Sequence, residues 1–304
     1  MTKGLKTNMN HFICIDIGGT AIKYGLIDEQ LCLTHTGVTQ TPKDGREAIL
    51  SLLEHLAAHC LTQDPEAKAI CISTAGIVDS DKGYVLEANE ELMPGYTGAQ
   101  IQEHLSEKFH LPCSVENDVN CAALAEYHAG AAKGCKSSLT LTIGTGIGGA
   151  FIFEGMLLKG HTFSACEVGY MHMDNSSSFE QLGATSVLVS NTARTLQLDP
   201  SSINGKWIFE QAAQGNAVCQ SSIRDMCQVL SKGIANLCYV LNPEIVVIGG
   251  GISSQSDVLG PLISKGLETY LIPPIYEKTR LAFARHKNHA GMMGAYLAYR
   301  SKIQ

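Results

Sequence analysis

Residues 13–23 combine an apolar run, a carboxylate and a glycine turn in an arrangement that suits phosphate chemistry. Asp16 stands near the end of the apolar run, and Gly18, Gly19 and Thr20 follow it. Backbone can approach a phosphate closely only where side chains are absent, which glycines allow. Thr20 adds a hydroxyl donor, and Asp16 can hold a cation that neutralises polyphosphate charge. Taken alone, the pattern equally fits a glycine hairpin between two core strands.

Two further glycine turns follow apolar runs later in the chain. Their residues are Gly144, Thr145, Gly146, Gly249, Gly250 and Gly251. Ligands of α/β folds collect at strand ends where loops converge. Three such turns, two of which carry a threonine, therefore predict a cradle for phosphates. Lys23, in the apolar run after the first turn, is counted with them as a predicted contact of the nucleotide.

The periodicity of apolar residues predicts the elements that position these turns. We expect strands at Leu31–Val38, Ala67–Ser73, Leu111–Val115, Ser138–Ile143, Ala150–Phe153, Pro243–Gly249 and Thr279–Ala284. We expect helices at Ala48–Cys60, Ile101–Phe109, Val119–Gly130, Ser186–Leu196, Trp207–Gln214, Ala217–Leu241, Gly260–Tyr270 and Gly291–Tyr299, and a loop from Gly160 to Ser178. A meander followed by a helix and a strand predicts a mixed sheet. Both halves open with strand, glycine turn and strand, which indicates an internal duplication.

The composition is that of a globular protein. The 304 residues are 45% hydrophobic and 17% charged, and the net charge of −7 argues against a general nucleic-acid surface. Eleven cysteines without CxxC pairs suit reduced, buried thiols better than a disulfide framework. The first eleven residues carry no apolar signal segment, and no run approaches the roughly 20 apolar residues of a membrane span. A cytoplasmic protein without a membrane partner is expected.

Four motifs, in this order and spacing, resemble those of ROK-family sugar kinases. They are Asp-Ile-Gly-Gly-Thr at 16–20, Glu-Asn-Asp-Val-Asn at 116–120, Ile-Gly-Thr-Gly-Ile-Gly-Gly at 143–149 and Gly-Gly-Gly at 249–251. The likeness runs from residue 12 to residue 299. It implies an α/β fold of the actin-like ATPase (ribonuclease H-like) type, in which two αβ domains with mixed sheets flank an interdomain cleft where ATP and sugar meet.

The resemblance also implies domains, cofactors and assembly. Residues 1–116 with the C-terminal helix 290–304 are expected to form the first domain, which carries the phosphate turn and part of the sugar site. Residues 117–289 are expected to form the second, with the catalytic aspartate and the nucleotide site. Mg-ATP is the implied phosphoryl donor, and a homodimer is the implied assembly.

Asp118 is predicted to carry the chemistry. A sugar hydroxyl is a poor nucleophile, and a carboxylate that accepts its proton as the γ-phosphoryl group leaves ATP supplies general-base help. By resemblance, the aspartate of this Asn-Asp pair is the base, and the adjacent Asn117 binds the sugar. Taken alone, Asn117 and Asp118 equally fit caps of the helix that starts at Val119.

Further sugar contacts follow from the resemblance. Glu167, in Ala-Cys-Glu-Val-Gly-Tyr, matches the family's Glu-x-Gly-His sugar motif except at the last position. A carboxylate suits a sugar because it accepts two hydroxyl hydrogen bonds. Glu180 resembles a second sugar-binding glutamate. Gly76 and Asn89 fall where family members touch the sugar from the first domain, although both equally fit ordinary turn residues.

Tyr170 departs from the family pattern. Most members hold a structural zinc with a histidine at this place and three cysteines of a CxCGxxGC loop, but residues 171–180 contain no cysteine. Cys166, His172 and Asp174 do not have the spacing of a structural zinc motif, so no zinc site is expected. The family's histidine touches the sugar near its anomeric end. Tyr170 is therefore expected to open space at O1 and to offer an aromatic face to a second ring.

This departure, together with residues 89–98, resembles the zinc-free branch that includes β-glucoside kinases. The leading hypothesis is ATP-dependent phosphorylation of the 6-hydroxyl of a β-glucoside such as cellobiose. Free glucose and N-acetylmannosamine are the alternative acceptors, which would make the protein a glucokinase or an N-acetylmannosamine kinase.

Two other classes of function are considered. The family also contains transcriptional repressors with a winged helix-turn-helix ahead of the kinase-like body, whereas 15 residues precede Asp16 here. A sugar-sensing regulator without its own DNA-binding domain is therefore the alternative of another class. A catalytically inactive sugar-binding protein is disfavoured because Asp16, Thr20, Asp118 and Thr145 are all present.

Overall fold

The computed structural model describes residues 9–303. Residues 1–8, which include most of the stretch considered for a secretion signal, and residue 304 lie outside the described residues. The chain divides into two compact units. The first comprises the described residues up to Ala125, the segment Lys159–Ser164 and the residues from Asn288 onward; the second comprises Glu126–Leu158 and Ala165–Lys287.

The chain forms runs of strands and runs of helices with the following bounds. The strands are β1 (His11–Ile17), β2 (Ala21–Asp28), β3 (Leu33–Gln40), β4 (Ile70–Thr74), β5 (Ile77–Asp79), β6 (Tyr84–Glu87), β7 (Cys113–Asn117), β8 (Ser137–Ile143), β9 (Ile147–Phe153), β10 (Met156–Leu157), β11 (Ile245–Gly249) and β12 (Arg280–Phe283). The helices are α1 (Arg46–Gln63), α2 (Ile101–Phe109), α3 (Asp118–Ala129), α4 (Phe179–Gly183), α5 (Thr185–Leu196), α6 (Gly205–Ala213), α7 (Ala217–Leu241), α8 (Ser256–Tyr270), α9 (Pro273–Tyr276) and α10 (Ala290–Ile303).

Each unit is built on a five-stranded mixed sheet, and the two sheets have the same topology. The first has the order β3-β2-β1-β4-β7 and the second the order β10-β9-β8-β11-β12. In both, the first three strands in the order pair antiparallel and the last three pair parallel. The prediction of mixed sheets is confirmed, and the shared topology is what an internal duplication produces.

In the first unit the two faces of the sheet differ in character. Ile13, Ile15 and Ile17 alternate along β1 and pack into the apolar core with residues of α1 and α2. Side chains of successive strand residues point to opposite faces, so Cys14 and Asp16 lie on the other side. Helix α10 packs against β1, β4 and β7. A buried carboxylate near the end of β1 therefore has helix α10 as its neighbour.

The core of the second unit is larger and lies mainly on one face of its sheet. Alternate residues of β8 and β11 pack there against buried side chains of helices α5–α8. The 25-residue helix α7 supplies eleven buried residues and is amphipathic, with apolar positions at helical spacing. On the opposite face, Ile245 and Val247 of β11 pack with Ala132 and Cys135. The glycine turns at the ends of β8 and β11 are thus held by buried strands.

The observed division of the chain differs from the expected boundaries. The first unit continues past residue 116 to Ala125, so Asp118 and most of α3 belong to it and not to the second unit. Packing explains the difference, because the Cα of Gly294 on α10 lies so close to Cys121 of α3 that a Cβ built there would be 1.8 Å from the Cys121 carbonyl oxygen. Lys159–Ser164 also joins the first unit, because Lys159 pairs with Glu116.

Several short elements fall where the sequence predicted none, among them β10 and α9. Strands β5 and β6 form a hairpin between β4 and α2. The expected loop 160–178 contains a single 3-10 turn at Val168–Tyr170. Helix α4 follows at once and begins with a capping box, in which the side chains of Ser178 and Gln181 each accept the other's backbone N–H.

Two properties of the described residues bear on environment. Among residues 9–303, none of the helices combines the length and apolar character that a membrane crossing requires. All eleven cysteines are free thiols, and eight of them are buried.

Candidate active site

Four polar residues form a row across the sheet of the first unit. Lys23 on β2 pairs in register with Asp16 on β1, Asp16 with Ser73 on β4, and Ser73 with Glu116 on β7. Paired residues of adjacent strands stand on the same face. The row therefore brings the predicted phosphate turn after Asp16 and the predicted catalytic pair after Glu116 to the same edge of one sheet.

The Asp16 carboxylate is fixed from three sides. Ser73 Oγ donates to Oδ1 at 2.7 Å, and Lys23 Nζ donates to Oδ2 at 3.1 Å. Gly291, in the first turn of α10, lies against the carboxylate, since a Cβ built there would be 2.3 Å from Asp16 Cγ. A helix N-terminus favours a negative charge beside it. Asp16 is only 9% exposed, and both of its carboxylate oxygens have a donor.

The turn after β1 is tied to a second loop. Gly18 and Gly19 are half-buried and Thr20 is exposed. Lys43 Nζ donates to the Gly19 carbonyl at 2.7 Å and also to the Leu92 carbonyl. A Cβ on Gly19 would be 3.2 Å from Leu92 Cβ, so the two loops are in close packing. Lys43 thus joins the predicted phosphate turn to residues 89–98, the segment expected to contact the sugar.

Asn117 and Asp118 stand at the junction of β7 and α3. Asn117 Oδ1 accepts the backbone N–H of Val119 at 2.9 Å and of Asn120 at 3.0 Å, so Asn117 does cap the helix. Its Nδ2 donates to the Gly76 carbonyl at 2.9 Å and to Asp118 Oδ1 at 3.1 Å. Asp118 Oδ1 also accepts the Val119 N–H at 2.9 Å. The carboxylate is therefore oriented at a helix N-terminus, where negative charge is stabilised.

Gly76 and Asn89 lie in loops of the same unit. Gly76 has φ +101°, and a Cβ there would be 2.5 Å from the Glu87 carbonyl oxygen, so only glycine fits this turn. Asn89 is exposed, and its Oδ1 accepts the backbone N–H of Glu91 at 2.9 Å and of Leu92 at 3.1 Å. Asn89 thus orders the loop that Lys43 fastens to the glycine turn.

In the second unit, the loop Gly144–Gly146 is anchored to the start of α5. Thr185 N donates to the Gly144 carbonyl at 2.9 Å, and Ser186 Oγ donates to the Thr145 carbonyl at 2.6 Å. A Cβ built on Gly144 would meet nothing within 4 Å. The absence of a side chain here serves no packing purpose within the protein. It leaves backbone open to a ligand.

Gly249 is the last residue of β11, Gly250 and Gly251 follow it, and Gly251 borders a cavity of about 350 Å³. The cavity is lined by Thr185, Gly205, Lys206, Phe209, Gly251, Ile252, Ser254 and Gln255. A Cβ on Gly251 would meet nothing within 4 Å, whereas Gly250 has φ +79° and lies directly against the backbone of Ile143. The lining combines an apolar wall with a few polar groups, as pockets for small organic ligands do. Thr185 joins this cavity to the Gly144 loop.

Glu167 and Glu180 lie close together in the second unit. Burial, and secondarily the charge of Glu180, raise the pKa of the Glu167 carboxyl above its ordinary value. Glu180 Oε2 reaches the glycine loop, since a Cβ on Gly146 would be 2.6 Å from it and one on Gly169 3.0 Å. Two half-buried carboxylates beside a phosphate-type loop form a strongly accepting surface, which suits a ligand rich in hydroxyl groups.

A family model described as the ROK family matches residues 12–302. The chain belongs to the ROK family. An uncharacterized protein of Clostridium perfringens is 43% identical over 97% of this chain and 99% of its own length. A protein of Klebsiella pneumoniae named beta-glucoside kinase is 31% identical over 92% of this chain and 93% of its own length. This chain is also similar to the crystal structure of a ROK family glucokinase from Streptomyces griseus in complex with glucose and AMPPNP. The two superpose with a TM-score of 0.81 at 27% sequence identity, and the match covers 94% of this chain and 98% of that chain.

Membership in the ROK family confirms the resemblance of the four motifs and the actin-like ATPase fold that they implied. The three glycine turns lie where the sequence predicted, directly after β1, β8 and β11. Tyr170, which stands where most ROK proteins were expected to carry histidine, is 67% exposed. Among residues 9–303, no group of three or more histidine, cysteine, aspartate and glutamate side chains is arranged to hold a metal ion.

Several residues of the candidate site were not identified by the sequence analysis. They are Ser73 and Gly291 beside Asp16, Lys43 beside Gly19, Lys159 beside Glu116, and Thr185, Lys206, Phe209 and Gln255 around the cavity. None lies in a glycine motif. Ser73 carried one readable signal, since it ends an apolar run before a turn just as Asp16 does.

The paired glutamates predict a pH-dependent effect on stability. Because the pKa of Glu167 is raised on folding, the folded state favours the protonated carboxyl group. The stability that this group contributes is fully present below its unfolded-state pKa, and it is lost as the pH rises through its folded-state pKa. Glu167→Gln removes this loss. We expect the variant to melt at a higher temperature than the wild type at pH 8, and the difference to shrink toward pH 4. Differential scanning fluorimetry across this range measures it.

The matched control is Glu268→Gln, which changes an exposed glutamate on α8. It should leave the melting temperature nearly unchanged at both pH values. If Glu167→Gln melted at a lower temperature than the wild type at pH 8, the conclusion that the ionised Glu167 destabilises the folded state would be contradicted.

Proposed function

We propose that this protein is an ATP-dependent sugar kinase that phosphorylates the 6-hydroxyl of a β-glucoside such as cellobiose, with Asp118 as the general base. The observation that carries the proposal is the orientation of the Asp118 carboxylate at the N-terminus of α3, where Asn117 and the Val119 N–H both donate to its Oδ1. These donors and the helix end stabilise the ionised form, which is the form that accepts a proton.

The proposed step transfers one phosphoryl group and one proton. The sugar O6 attacks the γ-phosphorus of ATP while its proton passes to the Asp118 carboxylate. The bond between the γ-phosphorus and the bridging oxygen breaks, and ADP leaves. Positioning and electrostatic stabilisation supply most of the acceleration in such reactions, so the donors that fix Asp118 matter as much as its basicity.

ATP is proposed to use the residues of the second unit. The open backbone at Gly144 suits phosphate oxygens, and the cavity beside Gly251, lined by Phe209 and Ile252, suits the adenine ring. The volume of about 350 Å³ is at the lower end of small-molecule pockets and fits a base. In the first unit, the exposed Thr20 and the backbone of Gly18 and Gly19 are proposed as further phosphate donors.

Mg²⁺ is proposed to accompany ATP. Asp16 fits this role, because Mg²⁺ is usually held by one or two carboxylates and by substrate phosphates rather than by a full set of protein ligands. When bound, the ion neutralises charge on the phosphates. Ser73 and Lys23 keep the Asp16 carboxylate in place, and Lys23 balances its charge.

The sugar is proposed to bind through Glu167, Glu180, Asn117 and the loop that contains Asn89. The acceptor class rests on Tyr170, whose exposed ring can stack on a second sugar or an aglycone attached at O1. The relative named beta-glucoside kinase supports the same class. Gly76 allows the close turn that Asn117 holds.

The proposal is tested by ADP release in a coupled assay with Mg-ATP. The acceptors are cellobiose, an aryl β-glucoside, glucose and N-acetylmannosamine. We expect kcat/KM to be highest for the β-glucosides. A preference for glucose or N-acetylmannosamine would contradict the proposed acceptor but support the proposed kinase activity. If no acceptor led to ADP release, the kinase activity would be rejected and a sugar-sensing protein favoured.

Gly251→Ala tests the nucleotide site separately. The new methyl group meets no protein atom within 4 Å and needs no positive φ, so the fold should tolerate it. It should instead occupy space proposed for ATP. We expect KM for ATP to rise about tenfold or more, which corresponds to roughly 1.4 kcal/mol, at an unchanged melting temperature.

The matched control for this variant is Gly260→Ala on α8, whose Cβ would be in ordinary contact with Phe283 at 3.5 Å. It should leave KM for ATP unchanged. An unchanged KM in Gly251→Ala as well would remove the loop after β11 from the nucleotide site.

Two properties are proposed with this function. The free thiols favour a reducing compartment, so we place the enzyme in the cytoplasm. The family resemblance implies a homodimer, which light scattering coupled to size-exclusion chromatography measures directly; a monomeric mass at micromolar concentration would reject it.

A further inference from the structure

Glu116 is a buried carboxylate immediately before the proposed catalytic pair. It is only 3% exposed. Its Oε1 accepts the backbone N–H of Asn117 and the side-chain Nδ2–H of Asn120, both at 2.9 Å. Both donors lie in the segment that also carries Asp118. Glu116 therefore anchors the start of α3, and it adds a second carboxylate to the segment that carries the proposed base, since Glu116 and Asp118 both act on the thiol of Cys121.

Lys159 supplies the opposite charge. Its Nζ lies 3.3 Å from Glu116 Oε2 and donates to Ser80 Oγ at 2.7 Å. Lys302 on α10 donates to the Ser80 carbonyl from the same side. Burial, and then the nearby charge of Lys159, lower the pKa of Lys302. Two lysines thus converge on the region of Glu116, and Lys159 is the one in direct contact with its carboxylate.

Acidic groups as well as the two lysines surround Glu116. Burial raises the pKa of the Cys121 thiol. Glu116, Asp16 and Asp118 all lie close enough to this thiol to raise its pKa further by their charge. Lys302 is in electrostatic reach of Glu116, Asp81 and Cys113 as well as of Lys159. Asp16 and Glu116 stand two strands apart in the polar row, about 10 Å by strand spacing. The carboxylates of Asp16, Glu116 and Asp118 therefore lie near the start of α3. A buried carboxylate that loses its partner becomes an uncompensated charge, whose effect on a neighbouring carboxyl is large.

We propose that Lys159 is a positioning residue for the proposed kinase reaction: by neutralising Glu116, it lets Asp118 ionise without an uncompensated buried carboxylate at the start of the same helix. This inference rests on the proposed function of Asp118. Lys159 lies outside the four sequence motifs, in the segment Lys159–Ser164, which belongs to the first unit.

The test is the pH dependence of kcat/KM for the best acceptor, measured by ADP release. Lys159→Met leaves the Glu116 charge unpaired, which makes Asp118 harder to ionise, so the acid limb should move up by about one pH unit. Glu116→Gln leaves Lys159 unpaired and keeps an oxygen for Asn117 and Asn120, so the limb should move down. The double variant should return it close to the wild-type position.

Lys159→Arg is the matched control because it keeps the positive charge, and its acid limb should stay within about 0.3 unit of the wild type. A purely structural role would lower the melting temperature or kcat at every pH without moving the limb, and would overturn the inference. Limbs that move in the same direction in Lys159→Met and Glu116→Gln would overturn it too. If Lys159→Met does not fold, Glu116→Gln decides the question by the direction of its shift.

This outcome is separable from that of the proposed function. A wild-type enzyme that releases ADP, with variants whose acid limbs coincide, rejects the role of Lys159 and leaves the kinase intact. A wild-type protein that releases no ADP with any acceptor rejects both.

Discussion

Asp118→Asn should reduce kcat by about 10²- to 10⁴-fold, the range that positioned general bases contribute. Asparagine has the same shape as aspartate, and its Oδ1 can still accept from Asn117 Nδ2 and from the Val119 N–H. The start of α3 should therefore persist. What is lost is a carboxylate that can take the proton of the sugar hydroxyl. The measurement is the steady-state rate of ADP release at saturating ATP and sugar.

Binding separates this interpretation from a general loss of structure. The melting temperature of Asp118→Asn and its increase on adding the sugar should be close to those of the wild type. The control is Asp225→Asn, the same chemical change at an exposed position of α7, which should leave kcat unchanged. Retention of full activity by Asp118→Asn would refute its assignment as the base.

Much of the candidate site could be predicted from the sequence because the patterns that indicate it lie within short segments of the chain. An apolar run followed by glycines marks a strand that ends in a turn, and this holds for β1, β8 and β11. Helix α7 was predicted with its observed bounds, since its apolar residues repeat at helical spacing over 25 residues. Motif order then indicated the family, which the comparison confirmed.

Contacts between segments that are distant in the chain could not be predicted from the sequence. Ser73, Lys23 and Glu116 meet in one row with Asp16 only because four strands pair in a particular register. Register depends on packing between elements and has no signature within any one strand. For the same reason, Lys159 in an expected loop gave no sign that it would pair with Glu116.

Short elements were missed for a different reason. Helix α4 has five residues, too few for helical periodicity to appear, although Ser178 and Gln181 have the spacing of a capping box. The hairpin of β5 and β6 has strands of three and four residues. The first unit extends to Ala125, past the expected boundary at residue 116, for a further reason: α3 follows β7 directly in sequence, but its residue Cys121 meets Gly294 of α10, more than 160 residues later.

Gly294 is the point at which α10 meets α3, and it predicts the largest effect on stability. A Cβ on Gly294 would be 1.8 Å from the Cys121 carbonyl oxygen and 2.4 Å from its Cα. These are backbone atoms of a helix, so no side-chain rotation relieves the clash. Gly294→Ala should destabilise the protein by about 3 kcal/mol or more, at or above the upper end of ordinary overpacking.

The same clash should act on the proposed active site. Cys121 lies in the first turn of α3, three residues after Asp118, and α10 also places Gly291 against Asp16. A shift of either helix separates two carboxylates that the proposed reaction uses, so any folded Gly294→Ala should lose activity at temperatures well below its own unfolding. Urea denaturation measures the stability, and ADP release measures the activity.

Ser301→Ala provides the matched control on the same helix. Its hydroxyl is exposed and donates only to the Ala298 carbonyl within α10, so both stability and activity should stay near the wild-type values. A Gly294→Ala protein with wild-type urea midpoint would mean that α10 and α3 do not approach as closely as the backbone positions indicate. The positioning of Asp118 would then have to come from β7 and the Glu116–Lys159 pair alone.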